Sequence, residues 1–301
     1  MKYKGEIALL GVTLFWGFGY SITEYALNMG VSSLQIQALR FLIGFLCLLP
    51  LSLKRRGDLT RQTVKKGIIL GLLMFSFFYL IHEGQRLTNT SKTAFLVGSY
   101  VLFVPAFDWI YNKKIPEGRT FVAAVLSLFG IYLISSGNFG NLTRGDYLLL
   151  GGALLVALHM VLSAEYVKDE RPIHLNFVQI GVTALFSLIG ALLFKSFAPI
   201  EAKPLLAIIY IGVVSTFIAY MLQTTGQKYT TATRASILLS LEAPVGTFFG
   251  IIIHKDPINF SMSMGYLCIF IAILVSEGIF MKLFRNWHFR RKLVGQGGKR
   301  L

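Results

Sequence analysis

The chain has 301 residues, of which 54% are hydrophobic and only 14% are charged. This composition, with a mean hydropathy of +0.64, excludes an ordinary soluble domain, because a soluble protein needs more polar residues on the outer faces of its helices or strands. The formal net charge of +15 does not indicate nucleic acid as a partner, because the basic residues are spread between apolar segments and over the chain's end.

Ten apolar segments follow one another along the chain, and most can cross ~30 Å of hydrocarbon as helices rising about 1.5 Å per residue. They occupy residues 6–27, 34–53, 67–85, 93–112 and 119–136, then 146–166, 175–197, 205–223, 235–254 and 259–283. Hydrocarbon offers no partner to the peptide groups, so backbone hydrogen bonds must close within each segment. We therefore predict an all-α integral membrane protein with ten transmembrane helices.

The last five segments repeat the first five at a spacing of about 141 residues. Glu24 reappears as Glu165, and Gln85 reappears as Gln227 with one residue of slip. Because five spans are an odd number, the second copy must enter the membrane from the opposite side, which is the inverted-repeat plan of many secondary transporters. The predicted parts are a first five-helix repeat (1–140), a second five-helix repeat (141–285) and a basic cytoplasmic tail (286–301).

The distribution of Lys and Arg predicts the orientation. With the N-terminus inside, 22 of the 29 basic residues fall on inside segments and six on outside segments, while Arg40 lies within a span. An excess of basic residues on the inner side is typical of cytoplasmic loops. We expect a multi-pass protein of the plasma or bacterial inner membrane with both termini in the cytoplasm, whose basic tail contacts anionic membrane lipids.

Sequence motifs for catalysis or cofactor binding are missing. The five histidines never stand three or four positions apart, so no helix presents a pair of metal ligands. The chain also has no nucleophile elbow, no phosphate-binding loop and no complete dinucleotide-binding fingerprint. We therefore expect neither an enzyme nor a metal or organic cofactor.

Ionisable residues inside the predicted spans are candidates for mechanism, since each costs about 2.5 to 3.5 kcal/mol at a helix centre on insertion scales. Glu242 lies two turns into the ninth span and is a candidate for proton transfer or solute binding, with a structural hydrogen bond at a helix joint as the alternative. Arg40 is expected to snorkel or to pair with a neighbour. Glu24 and Glu165 are repeat-related near opposite membrane faces, which suits two gates but also two solvated helix ends.

Polar and aromatic side chains within the spans are candidates for a solute pocket. Trp16 lies at mid-membrane rather than in an interfacial belt, and His159 shares a helix face with Ser163. A hydrogen-bonded packing residue is the alternative for an isolated membrane histidine. The predicted substrate-binding residues are Trp16, Tyr20, Tyr79, His82, Ser99, Tyr100, His159, Ser163, Tyr220 and Gln223.

Several stretches resemble a known family. They are Phe15-Trp16-Gly17, Arg40-Phe41 and, most specifically, residues 220–242 (YMLQTTGQKYTTATRASILLSLE) with the following Pro244-Val245. The chain thereby resembles the EamA family of the drug/metabolite transporter superfamily. The resemblance implies a ten-helix inverted repeat that moves small organic solutes by alternating access, commonly as an exporter. The chain departs from the family's usual Gly-Glu after the ninth span, where it has His254-Lys255-Asp256.

Together these patterns predict a secondary transporter of small organic metabolites, for example an exporter of amino acids or related solutes. The pocket is expected near the membrane midplane between the repeats, and protons are a candidate coupling ion. The protein is expected to act as a monomer or a weak homodimer. A multidrug or lipophilic-cation exporter is the alternative within the class, and a membrane enzyme or a channel is less favoured.

Overall fold

The structure is a computed structural model and describes residues 4–54, 59–113, 115, 118–134 and 142–276. The first half of the chain contains α1 (Lys4–Asn28), α2 (Ser33–Leu53), α3 (Arg61–Gln85), α4 (Thr90–Gly98), α5 (Tyr100–Asn112) and α6 (Gly118–Ile134). The second half contains α7 (Arg144–Tyr166), α8 (Pro172–Leu193), α9 (Ala202–Gly212), α10 (Ala219–Gln227), α11 (Ala232–Ser240), α12 (Glu242–Phe249) and α13 (Phe260–Ser276), with π-helical segments at Val213–Ile218 and Gly250–His254. The predicted tail at 286–301 and the predicted repeat boundary at 140–141 lie outside the described residues.

Within these residues, eight helical stretches are long and apolar enough to cross a membrane. They are Gly5–Asn28, Ser33–Leu53, Arg61–Gln85, Thr90–Asn112, Arg144–Tyr166, Pro172–Leu193, Ala202–Gln227 and Ala232–His254. Helices α6 and α13, where the fifth and tenth spans were predicted, have 17 residues each. The prediction of an all-α protein with many membrane-crossing helices is confirmed in the described part of the chain. The count of ten spans in two inverted repeats stays a prediction.

Side-chain caps explain where several of these helices begin. Ser32, Thr60, Asn89, Thr143 and Thr231 each accept a hydrogen bond from the backbone N–H three residues later. A cap of this kind stabilises a helix start by about 1 kcal/mol. The caps of α4 and α11 are repeat-related, so the local sequence sets the start of the corresponding span in both halves.

Two membrane-crossing stretches are broken near their middle. Helix α4 ends and α5 begins around Ser99, and α11 ends and α12 begins around Leu241. Pro244 explains the second break, because it has no N–H to donate to the carbonyl of Ser240. Pro105 lies well inside α5 and does not explain the first break. Such breaks are tolerated in a membrane where they are buried in protein or border a cavity.

The halves interlock rather than lying side by side. Helix α2 packs on α8, α3 packs on α7 and α8, and α1 packs on α10 and α12, while α4 packs on α12 and α6 on α13. Most of the buried apolar side chains form one cluster with members from both halves. The centre of the protein is therefore built jointly by the two halves, and this is where the site lies.

Contacts between helix ends define two faces of the bundle. Glu6 near the start of α1 pairs with Arg234 near the start of α11 at 2.5 Å, and we name this the proximal face. Lys92 near the start of α4 pairs with Asp146 near the start of α7 at 2.7 Å, and we name this the distal face, where α1 ends. Helix α3 ends at Gln85, shortly before α4 begins at the distal face, and therefore runs from the proximal to the distal face.

Two helix crossings between the halves use the same backbone contact. At the distal face, α3 crosses α7, and a Cβ on Gly84 would lie 2.9 Å from the carbonyl oxygen of Gly145. At the proximal face, α10 crosses α1, and a Cβ on Gly226 would lie 3.0 Å from the carbonyl oxygen of Gly5. In both, the nearest side chain is the leucine four residues after the partner glycine, at 2.7 Å. Glycine is needed because the two backbones touch.

Candidate functional site

A cavity lies between the two halves, with a volume of about 60 Å³ counted as space open to the centres of water molecules. About 10 to 15 Å³ of such space is enough for one water, so the cavity has room for a few waters or for the polar part of a small solute. Its lining residues are Trp16, Gly19, Tyr20, Thr23, Arg40, Phe77, Phe78, Ile81, His82, Gln85, Val97, Tyr100, Val156, His159, Met160, Ser215, Tyr220, Gln223 and Glu242.

Aromatic rings form much of the wall. The Trp16 and Tyr220 ring centres are 5.3 Å apart, and Tyr220 lies 6.4 Å from both Phe78 and His159. The His159 ring is also edge-on to Phe77 at 5.4 Å. These rings come from α1, α3, α7 and α10, so the wall depends on helices of both halves and offers a solute flat, apolar surfaces.

Arg40 lies in the cavity wall and is only 4% exposed. Its Nε donates to Oγ1 of Thr216 at 3.0 Å, and its Nη1 donates to Nε2 of His82 at 3.3 Å. The guanidinium carbon also lies 4.5 Å from the ring centre of Phe78. Of the two expectations for Arg40, pairing with neighbours is therefore the one observed, and the neighbours are uncharged. Since arginine cannot accept a hydrogen bond, His82 accepts here and is a neutral imidazole.

A π-helical segment positions the groups that hold Arg40 and Trp16. Thr216, within Val213–Ile218, donates to the carbonyl of Ile211 five residues earlier at 2.8 Å. Its hydroxyl is thereby oriented to accept from Arg40. The neighbouring carbonyl of Ser215 accepts from Nε1 of Trp16 at 3.0 Å. Single π-helical turns are frequent at functional sites, and no pattern in the sequence predicted this one.

Glu242 is the first residue of α12 and is 2% exposed. The hydroxyls of Tyr20 and Tyr100 lie near its carboxylate, and the Tyr100 hydroxyl has no hydrogen-bond partner among the described residues. Tyr100 is itself the first residue of α5 and is repeat-related to Glu242. The two broken spans thus bring equivalent positions, Tyr100 and Glu242, to the wall of the cavity.

Several polar atoms of the lining residues have no hydrogen-bond partner among the described residues. They include Oε1 of Gln85, Oε1 of Gln223 and the hydroxyl of Tyr100, and each of these side chains is 1% exposed. Leaving a buried polar group unsatisfied costs about 1 to 3 kcal/mol. Such groups are stable in a wet or solute-binding cavity, because water or a solute completes their hydrogen bonds.

The structure brings eight of the sequence-predicted residues to the cavity and leaves five elsewhere. The eight are Trp16, Tyr20, His82, Tyr100, His159, Tyr220, Gln223 and Glu242. Tyr79 is 38% exposed and stacks on Phe75. Ser99 donates to the carbonyl of Leu96 at 2.6 Å. Ser163 lies nearer the proximal face, where it donates to Gln227 at 3.0 Å.

The remaining two predicted residues, Glu24 and Glu165, lie at opposite faces in equivalent contacts. Glu24 at the distal end of α1 accepts from Thr90 and lies 4.0 Å from His254, the last residue of the helical stretch that begins with α11. Glu165 at the proximal end of α7 accepts from Asn112, the last residue of α5, at 3.2 Å. Each glutamate therefore contacts the end of the fourth span of the other half.

Sequence reasoning missed part of the wall. Phe77 and Phe78 were not among the predicted pocket residues, because phenylalanine is abundant throughout the chain and does not by itself indicate a pocket. Gln85 belongs to a Gly-Gln pair that recurs at Gln227, and this repetition marks it in the sequence. Its place in the wall, however, depends on how α3 crosses α7. In the described residues no group of three His, Cys, Asp or Glu side chains is arranged to hold a metal ion.

Comparisons with known proteins agree with this architecture. The model of the EamA-like transporter family matches residues 3–136 and again residues 143–277. An uncharacterized transporter of Archaeoglobus fulgidus is 24% identical over 274 residues, which cover 91% of this chain and 86% of the relative. An uncharacterized transporter of Clostridium kluyveri is 24% identical over 293 residues, with 91% and 93% coverage. The uncharacterized transporter YyaM of Bacillus subtilis is 23% identical over 288 residues, also with 91% and 93% coverage.

A protein of known crystal structure superposes on the chain with a TM-score of 0.68 at 18% sequence identity. The superposition covers 94% of this chain and 99% of the other. At this identity the likeness shows a shared fold.

Proposed function

Because the chain belongs to the EamA-like transporter family of the drug/metabolite transporter superfamily and is a multi-pass membrane protein, we propose that it carries small organic metabolites across the plasma or inner membrane. The mechanism is alternating access, and the physiological direction is export. The observation that carries this proposal is the buried cavity between the halves, which is lined by Arg40, Glu242 and aromatic rings. Charged side chains at this depth are costly and are typical of solute or ion pathways.

The proposal includes ten spans in two inverted repeats, with α6 and α13 as the fifth and tenth. The matched crossings at Gly84 and Gly226 support this arrangement, because residues about 140 apart make the same contact at opposite faces. The twofold match of the family model supports it as well. The excess of basic residues on the segments at the proximal side supports both termini in the cytoplasm. On this basis the proximal face is cytoplasmic.

The equivalent contacts of Glu24 and Glu165 support two gates. Each joins the first helix of one half to the fourth span of the other half, at opposite faces. Alternating access requires that one such contact loosens while the other holds. The glutamates would therefore act by holding a face closed, rather than by touching the solute.

Glu242 is the candidate for proton coupling. It is the carboxylate of the cavity wall, and a carboxylate that gains a proton when the solute leaves would exchange one for the other. Glu242→Gln keeps the size of the side chain but cannot titrate. We expect this variant to lose accumulation driven by a pH gradient in proteoliposomes. Unchanged pH-driven accumulation by the variant would contradict proton coupling through this residue.

A lipophilic-cation exporter is the second candidate, since Glu242 and the aromatic wall would suit a cation. Arg40 in the same wall opposes it, because a solute with only positive charge would be repelled. The relatives and the family are transporters, and this also favours a carrier over a membrane enzyme.

Transport by the purified protein tests the proposal. A thermal-shift screen against a metabolite library identifies a ligand, because a solute at 100 times its dissociation constant stabilises the protein by about 2.7 kcal/mol. Proteoliposomes should then take up this solute saturably and faster when preloaded with it, with protein-free liposomes as the control. Unsaturable flux without a preloading effect would contradict a carrier and favour a channel.

A further inference from the structure

We propose that residues 254–256 act as a latch at the distal face, which an acidic medium on that side tightens. In this distal latch, Asp256 fastens the end of the ninth predicted span to α4, and His254 fastens it to α1 with a strength that depends on the charge of its ring. The inference rests on the proposed gate at Glu24 and adds a regulator to it.

The distal latch joins the two halves of the chain where a helix ends. His254 is the last residue of the π-helical segment Gly250–His254, and Lys255 follows in a left-handed backbone conformation with a φ of 55°. This turn brings the N–H of Asp256 back to the carbonyl of Gly250, to which it donates at 3.3 Å. The side chains on either side of Lys255 are thereby directed at the first half, since Asp256 is 7% exposed and the His254 side chain 11%.

Asp256 caps a helix that belongs to the other half. Its Oδ2 accepts a hydrogen bond from the backbone N–H of Ser91 at 2.7 Å and another from the Ser91 hydroxyl at 2.5 Å. Ser91 lies in the first turn of α4, where N–H groups lack partners within the helix and favour a negative charge. Gly250 leaves room for this contact, because a Cβ there would lie 2.6 Å from Oγ of Ser91. This part of the latch holds wherever Asp256 is ionised.

His254 contacts α1 through both of its ring nitrogens. Nε2 lies 3.0 Å from the carbonyl oxygen of Ser21. Because a carbonyl only accepts, Nε2 carries a hydrogen, and in the neutral ring Nδ1 then has a lone pair instead. Nδ1 lies 4.0 Å from Oε1 of Glu24, whose Oε2 accepts from Thr90. A neutral His254 therefore offers this glutamate no hydrogen.

A second proton on the ring makes the contact with Glu24 attractive. An imidazolium donates from both nitrogens, so it can bind the Ser21 carbonyl and the Glu24 carboxylate at the same time. Histidine is the side chain that changes its charge between about pH 5 and about pH 8. The protonated ring gains Glu24 only while the distal face is closed. Acid therefore favours the closed face, and this gain is lost as the pH rises.

The helices packed against the segment that ends at His254 are α1, α4 and α12. On α1, the charged residues other than Glu24 are at positions 4 and 6, near the proximal face. The charged residue of α4 is Lys92, which is held in an ion pair with a neighbouring helix. The charged residue of α12 is Glu242 at its opposite end, in the cavity wall. Among the described residues, Glu24 is thus the carboxylate within ion-pair distance of His254.

The latch itself contributes two further charges. The negative charge of Asp256 favours the protonated ring of His254, and the positive charge of Lys255 disfavours it. Lys255 is exposed whereas Asp256 is buried, so solvent and salt screen the lysine more strongly.

Labelling of a distal reporter at two pH values tests the latch without any solute. In the protein with Cys47→Ala and Cys268→Ala, a cysteine in place of Thr23 reacts with an impermeant maleimide added from the distal side of proteoliposomes. Both sides are kept at the same pH, so no proton gradient is present. The comparison protein also carries His254→Gln, which keeps an N–H donor for Ser21 but cannot gain a proton. The ratio of the two labelling rates cancels the effect of pH on thiol reactivity.

We expect the two proteins to be labelled alike at about pH 8. At about pH 5 the protein with His254 should be labelled roughly fivefold more slowly than the His254→Gln protein. Glu24→Gln should remove this difference, because it removes the carboxylate that the imidazolium binds. Lys255→Gln is the matched control, since it removes an exposed charge from the same stretch, and it should keep the full difference.

Asp256→Asn separates the two parts of the latch. It weakens the cap on Ser91 and leaves the titrating ring in place, so it should speed labelling by a similar factor at both pH values. Acceleration at the lower pH alone would contradict the assignment of the pH-dependent part to His254.

A labelling ratio that is the same at both pH values overturns the proposal, and so does faster labelling of the His254 protein in acid. If His254→Gln does not fold, Glu24→Gln compared with the parent protein decides in the same way. Solute transport with pH-independent labelling would remove the latch and leave the transporter. Labelling that depends on pH as expected, in a protein that carries no solute, would instead remove the proposed function and leave the latch.

Discussion

Two helix crossings share a backbone contact but differ in their side-chain hydrogen bonds. They are the crossing of α3 over α7 at the distal face and the crossing of α10 over α1 at the proximal face. In both, a glutamine follows the crossing glycine and donates to a backbone carbonyl of a third helix. Gln85 donates to Tyr20 of α1 at 2.8 Å, and Gln227 donates to Met160 of α7 at 3.3 Å. At the proximal face, Gln227 also accepts a hydrogen bond from Ser163 at 3.0 Å. At the distal face, the hydroxyl of Thr23 in α1 donates to the carbonyl of Gly19 in the same helix, and Oε1 of Gln85 has no partner among the described residues.

This difference shows how one architecture can make two unlike ends. The repeated glycines allow two equivalent backbone contacts. The side chains beside them form more hydrogen bonds between helices at one crossing than at the other. The cavity lies on the distal side of the proximal crossing, since Thr23, His82 and Gln85 line it while Ser163 and Gln227 do not. The described hydrogen bonds therefore hold the proximal crossing together more strongly than the distal crossing.

The largest effect is expected from the crossing glycines. Gly84→Ala and Gly226→Ala should each place a Cβ within about 3 Å of a backbone carbonyl, which costs about 1 to 3 kcal/mol of unfolding free energy as overpacking. We expect a similar loss in both variants, with transport reduced by roughly tenfold or more because the helices cannot close.

Thermal unfolding and solute uptake of matched proteoliposomes measure this effect. Gly11→Ala is the control, since a Cβ on Gly11 of α1 meets nothing within 4 Å. If one crossing variant behaved like the wild type while the other failed, the two crossings would not be equivalent.

The glutamates at the two faces should give a smaller and opposite pair of effects. Glu24→Gln removes the charge from the distal contact with His254, and Glu165→Gln removes it from the proximal contact with Asn112 and Lys168. When partly exposed, each charge-assisted contact contributes about 1 kcal/mol. This corresponds to roughly a fivefold change in the ratio of molecules open at the distal face to molecules open at the proximal face.

Labelling of a reporter cysteine in the cavity, from each side of the membrane, measures that ratio. We expect Glu24→Gln to raise labelling from the distal side and Glu165→Gln to raise it from the proximal side. Changes in the same direction would show that the two contacts are solvated helix ends and not gates.

The smallest effect is expected from the hydroxyl groups beside the crossings. Ser163→Ala removes one hydrogen bond between neutral groups, to Gln227, and should destabilise the proximal crossing by about 0.5 kcal/mol, the lower end for such a bond. Thr23→Val removes only a bond within α1 and should change the stability by less. Hydrogen exchange of α7 and α1 compares the two, and an equal change in both would indicate that the Ser163 hydroxyl does not tie the proximal face.

The helices could be predicted from the sequence because local features of the chain determine where each one forms. Apolar runs must close their backbone hydrogen bonds inside a membrane, and residues such as Thr143 and Thr231 mark where the helices begin. The family resemblance was confirmed by the match over both halves. The basic loops predicted an orientation that stays a prediction.

The wall of the cavity was harder to predict because it depends on distant contacts. Arg40 was expected to leave the apolar region or to pair, and its placement depends on Thr216 of a π-helical segment that lies 176 positions away in the chain. Ser99 and Tyr79 have the chemistry of pocket residues, but helix rotation directs one to its own backbone and the other to the surface. Residue type alone does not encode this rotation.

Reciprocal accessibility of the two ends tests alternating access most directly. In a protein with Cys47→Ala and Cys268→Ala, single cysteines replace Thr23 near the distal face or Ser163 near the proximal face, and an impermeant maleimide is added from either side with and without the transported solute. Thr23→Cys should be labelled only from outside and Ser163→Cys only from the cytoplasm, and a solute gradient that raises labelling at one should lower it at the other. Labelling of either cysteine from both sides, or a parallel rise at both positions, would contradict a carrier that opens to one side at a time.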